Sequence, residues 1–145
     1  MKSKTLYDQD FSYWIDQTVE QLRSGRWSEL DVPNLIDELE SIGKRDQREL
    51  ENRLTVLLMH LLKWKYQPKR RCGSWINTLR EQRRQIGKLL RDSPSLKPYL
   101  TNMFGECYAD SRLDAVGETQ LSPAVFPIEC PFSVEDVLAQ EFLPD

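Results

Sequence analysis

No apolar stretch in this sequence approaches the roughly 20 residues that a membrane-spanning helix needs; the longest, Leu54 to Leu62, is interrupted by Thr55 and His60. The start, Met1-Lys2-Ser3-Lys4-Thr5, is basic but runs into Tyr7-Asp8-Gln9-Asp10 rather than an apolar segment. No secretory signal and no membrane association are therefore expected. Cysteine is scarce: Cys72, Cys107 and Cys130 are odd in number, far apart and form no C-x-x-C pair. That pattern supports neither a disulfide framework nor a thiolate metal site, and it fits a reducing, cytoplasmic compartment. With only 6 glycines there is no phosphate-cradling loop, Arg71-Cys72-Gly73-Ser74 holding just one. Neither G-x-S-x-G nor H-E-x-x-H occurs. With one histidine, metal ligation has little material, and no metal or cofactor is expected.

What remains is ordinary globular composition over 145 residues, a length at which one domain is expected and can bury a core unaided. The apolar residues recur at helical spacing. Asp8 or Asp10 caps a first expected helix over 8–24, with Phe11, Trp14 or Ile15, Thr18, Val19 and Leu22 along it and Ser24-Gly25 as its stop. Asp31 and Pro33 open a second, striped by Leu35, Ile36, Leu39 and Ile42 and stopped by Gly43. A third, from about Lys44 to Tyr66, is amphipathic at first and then apolar nearly all round, the mark of a buried helix. Pro68 ends it. Ser74 caps a fourth, to Arg91, and Ser95 a fifth, to about Thr119, with Leu96, Leu100, Met103, Phe104, Cys107, Tyr108 and Ser111 facing inward. The tail repeats proline beside phenylalanine, as in Phe126-Pro127 and Pro131-Phe132, and reads as a strap over the helices, with a short helix from Ser133. The expected fold is all-α: one domain, residues 1–145, of about five helices with a proline-rich C-terminal strap. The centre is the hairpin from Leu54 to Arg91.

The net charge of −3 conceals a segregation. Lys63 to Arg91 carries ten basic residues and one acid, while residues 92–145 carry two basic and ten acidic ones. Such a block either faces a polyanion or is neutralised by the chain's own acids. Lys63, Lys65, Lys69, Arg70 and Arg71 are interleaved with Trp64, Tyr66 and Trp75, which suits phosphates and unstacked bases. Arg80, Arg84, Lys88 and Arg91 step by four, four and three, one face of a helix. These nine cations are the candidate binding residues, and the candidate partner is an acidic protein or nucleic acid. The bland alternative is that Trp64 and Trp75 brace the turn.

A second set of residues suggests catalysis. His60 is the polar side chain inside the apolar run, so it needs a partner; Glu38, Glu40, Gln82, Arg83 and Glu118 are the candidates. Gln82 and Arg83 occupy the slot of the fourth helix that should be apolar, and a buried arginine calls for a carboxylate such as Glu38, Glu40 or Glu118, or for an anionic substrate. An enzyme or metal-dependent hydrolase would centre on His60 with Glu38 or Glu40 and Arg83; a helix-fixing polar network would use the same residues. Glu38 and Glu40, two apart on a helix, diverge by roughly 200° and do not make a carboxylate dyad.

Six separated blocks also occur in order: Tyr7-Asp8-Gln9-Asp10-Phe11 with Trp14, Leu35 to Gly43, His60 to Trp64, Ser74-Trp75 with Gln82-Arg83, Pro94-Ser95-Leu96, and Phe126-Pro127 with Cys130-Pro131. Over about residues 7–144 the chain resembles the domain-of-unknown-function family numbered twenty-nine. The resemblance implies a bacterial origin, commonly cyanobacterial, and a compact helical fold; it implies no catalytic residue and no substrate. Asp37-Glu38-Leu39 stands where that family more often reads Glu-Glu-Ile.

Overall fold

The computed structural model describes residues 5–145, so the basic start of the chain lies outside the described residues. Among them there is no strand. The α-helices are α1 (Leu6–Gln9), α2 (Phe11–Arg23), α3 (Val32–Tyr66), α4 (Gly73–Asp92), α5 (Leu96–Thr119) and α6 (Val134–Leu138). Short 3₁₀ turns lie at Trp27–Glu29, Pro68–Arg70 and Pro123–Val125. The all-α class expected from periodicity holds. The chain divides into two compact units, Met1–Arg45 and Asp46–Asp145.

In the first unit, Asp10 caps α2 by accepting from the Tyr13 amide at 3.0 Å. It also separates α2 from α1, so the expected first helix is two. Tyr7 stands edge-on to Trp14, with ring centroids 4.9 Å apart. Trp14 and Thr18 are buried, but Phe11, Ile15, Val19 and Leu22 are exposed. Gly25, at φ +71°, takes the left-handed conformation that ends α2. Asp31 accepts from the Asn34 amide at 3.4 Å and begins α3.

Gly43 does not stop a helix. The second and third expected helices are one, the 35-residue α3. Glycine in a helix interior costs only about 1 kcal/mol against alanine. Lys44 to Leu50 are mostly good helix formers, and Glu49 pairs with Arg53 one turn on, at 3.0 Å. No return strand of helix follows Gly43, so Ile36, Leu39 and Ile42, expected in the core, are exposed. A β-carbon on Gly43 meets nothing within 4 Å. Gly43→Ala is therefore expected to stabilise the protein by about 0.5–1 kcal/mol, measured as a rise in the urea midpoint at constant slope.

In the second unit, α3 buries Leu50, Leu54, Leu57, Leu58, Leu61 and Leu62. Around them pack Leu79 and Ile86 of α4 and Leu96, Leu100, Cys107, Tyr108 and Ala115 of α5. The strap completes this core with Phe126, Phe132 and Val137. Its backbone is tied down by side chains from the helices. Tyr108 donates to the Pro127 carbonyl at 2.5 Å, and Arg112 donates to Phe126 O at 2.9 Å and Pro123 O at 2.8 Å. The caps are less regular than their sequence signals: α4 starts from Cys72 rather than Ser74, and neither Cys72 nor Ser95 makes a side-chain capping bond. Ser133 does cap α6, accepting from the Asp136 amide at 3.1 Å.

Candidate functional site

The basic joint between α3 and α4 sorts into held and free cations. Lys63 is buried: its ammonium lies 4.8 Å from the centre of the Trp75 ring and donates to Glu118 of α5. It is thus paired within the protein. Its aliphatic stem lies in the apolar run of α3 while its head reaches the Trp75 ring and Glu118. Arg71 closes the turn, its Nε donating to Trp64 O at 2.8 Å and its guanidinium stacking 4.9 Å over the Trp64 ring. Trp64 and Trp75 thus brace the joint. Lys65 lies 5.8 Å from the centre of the Tyr66 ring, and that ring stands edge-on to buried Phe126 at 5.5 Å. Burial pushes the Tyr66 hydroxyl up from its ordinary pKa. Lys69 and Arg70 are exposed. With Tyr66, Gln67 and Pro68 they line an open depression of about 280 Å³.

Arg80, Arg84, Lys88 and Arg91 are all exposed on α4. Arg84 pairs with Glu81, the only acid between Lys63 and Arg91. The Gln85 amide donates to Glu81 at 2.8 Å, and this bond, with the Arg84 charge, holds the carboxyl below its usual range. Arg91 reaches back along the helix: a β-carbon on Gly87 would lie 3.3 Å from its Nη1. Among the described residues, none of Arg80, Lys88 and Arg91 forms an ion pair, and the acidic C-terminal region supplies a partner to Lys63 alone, through Glu118.

Four of the five candidate catalytic residues, His60, Glu38, Gln82 and Arg83, make hydrogen bonds. His60 donates from Nδ1 to Val56 O, one turn back in its own helix, at 2.9 Å. None of its expected side-chain partners takes that bond. Desolvation lowers its pKa, outweighing the Val56 bond. Glu38 accepts from the Tyr7 hydroxyl, and that bond, ahead of the other causes, raises Tyr7 to about 12. Glu40 is exposed. Glu38, Glu40 and His60 belong to one helix. Gln82 accepts from Arg53 at 3.2 Å.

Arg83 is buried as expected, but its partners are neither carboxylates nor an anion. Nε donates to Val137 O at 2.8 Å and Nη1 to Gln140 O at 3.3 Å. The guanidinium thus caps the C-terminal end of α6, where unpaired carbonyls and the helix dipole favour a cation. Its Nη2 has no hydrogen-bond partner among the described residues. Backbone carbonyls, unlike carboxylates, leave no signature in a sequence. Among the described residues no three His, Cys, Asp or Glu side chains gather as a metal ion would require, and no helix is long and apolar enough to cross a membrane.

The sequence model of a family described as Domain of unknown function DUF29 matches residues 6–143. The chain belongs to that family. No curated protein and no solved structure matches it.

Proposed function

We propose that this DUF29 chain is a cytoplasmic, non-enzymatic interaction module that binds an acidic protein partner or nucleic acid through the basic face of α4 and the joint before it. One observation carries the reading: Arg80, Arg84, Lys88 and Arg91 stand exposed on successive turns, and among the described residues only Arg84 is engaged by an acid. A cation row left unneutralised in a chain with more acids than bases is a surface that attracts polyanions. Lys69 and Arg70 extend the charge to the joint, beside an aromatic ring suited to contact with a base or an apolar side chain.

The test is a titration of the protein into labelled single- and double-stranded nucleic acid at low and at physiological salt, beside an Arg80→Gln/Arg84→Gln/Lys88→Gln variant. Affinity is expected to fall with salt, and the variant to bind at least about tenfold more weakly with a flatter salt slope. The variant should fold normally, because the three side chains are exposed. Absence of binding at low salt would remove nucleic acid and leave an acidic protein surface. Binding indifferent to salt would remove the phosphate-contact mechanism altogether.

A further inference from the structure

The first unit has almost no core of its own. Its one buried large apolar side chain among the described residues is Trp14. On α2, Phe11, Ile15, Val19 and Leu22 step by four, four and three; on α3, Val32, Ile36, Leu39 and Ile42 step by four, three and three. Each of the eight is 39–61% exposed. At 13 residues, α2 is marginal in water unless its apolar face is packed, and folded pieces near 40 residues usually need a staple or a second copy.

Tyr7, just ahead of α2, donates to Glu38 of α3, while Gln21 near the end of α2 shares a recess with Asp31 at the start of α3, so the two helices run antiparallel. The row of α2 that faces inward is Trp14, Gln17, Thr18 and Gln21, which lines a recess together with Glu29 and Asp31. At 100° per residue, the exposed apolar row lies about a quarter turn round from it. On α3 the less exposed row is Asp31, Asn34, Leu35 and Glu38, and the exposed row is again displaced by about a quarter turn in the same rotational sense. Across an antiparallel hairpin, equal displacements place both rows on one face.

We infer that this face is an interface between two copies of the chain, closing a four-helix core about a two-fold axis. Three observations favour a second copy. The exposed rows offer on the order of 700 Å² of surface, close to the roughly 800 Å² that each partner buries in a standard interface. The face is built from two helices, so face-to-face pairing yields the ordinary four-helix arrangement and buries every member of both rows. The charges are self-complementary end to end. α2 is preceded by Asp8 and Asp10 and ends at Arg23, with Arg26 beyond it paired to Glu29 at 3.4 Å; α3 follows Asp31 and passes Lys44 and Arg45 beyond Ile42. A two-fold axis across the helices sets each acidic end beside a basic end of the other copy.

Sedimentation of the full chain tests the inference. The wild-type protein is expected to sediment at twice its 17.1 kDa chain mass, and the Ile15→Glu and Leu39→Glu variants as single chains, with dimer affinity weakened at least about a hundredfold by the buried charge. Both side chains are exposed in the single chain, so far-ultraviolet circular dichroism should not change. Should a variant fail to fold, amide exchange of the wild type at rising concentration serves instead: protection over residues 11–23 and 32–42 is expected to grow with concentration. A wild-type monomer at about 100 µM, a dimer that both variants leave intact, or protection independent of concentration would each overturn the inference. A monomer would assign the face to a partner of another kind.

Discussion

Phe126→Ala is expected to lower the unfolding free energy by about 4 kcal/mol. The ring is buried between α3 and the strap, edge-on to Tyr66, and it is among the largest fully buried side chains of the protein. Truncation removes its apolar transfer energy and leaves a cavity that the surrounding leucines cannot refill without moving helices. The backbone around the ring is anchored by Arg112 at Phe126 O and Tyr108 at Pro127 O, so collapse onto the hole is opposed. Urea denaturation followed by circular dichroism measures the effect. A loss below about 1 kcal/mol would mean that the strap lies on the bundle without completing its core.

Arg83→Ala is the second large effect, a loss of about 3 kcal/mol. Two charge-assisted bonds to buried carbonyls disappear, each worth about 1.5–3 kcal/mol to a charged partner, and Val137 O and Gln140 O are left without their donor. Part of that loss is offset, because the costly burial of an arginine with one unpaired nitrogen also ends. The damage should be local before it is global: limited proteolysis is expected to cut within residues 121–145 while α3 to α5 survive. Arg83→Lys is not expected to rescue, since an ammonium has no planar fork to span carbonyls three residues apart. A variant as resistant to protease as the wild type would show that α6 holds without its arginine cap.

The two arginine-bound carbonyls mark where the sequence stopped being legible. Helix α5 was readable end to end, because Pro94-Ser95 and the turn after Thr119 interrupt a clean apolar row, and its inward residues Leu100, Cys107, Tyr108 and Ser111 are buried. Pro68 marked the end of α3, and the strap phenylalanines announced themselves by being apolar in a proline-rich segment. Gly43 misled because glycine is a frequent helix stop, while its actual cost in a helix interior is small beside the propensity of its neighbours. With α3 divided at Gly43, the apolar row at the start of α3 reads as core; in the continuous helix Ile36, Leu39 and Ile42 are exposed. Arg83 and Lys63 were both visible as cations beside apolar positions. Nothing in their spacing distinguishes the one that holds backbone from the one that holds Glu118.

The strap has a further consequence in time. Translation delivers α3, α4 and α5 before residues 121–145, and Phe126, Phe132 and Val137 join the core only once that stretch is made. At roughly 5–20 residues per second this interval is on the order of one to five seconds. Until then Arg83 lacks the Val137 and Gln140 carbonyls, and Arg112 those of Pro123 and Phe126. The strap is thus a latch made after the helices whose core it closes.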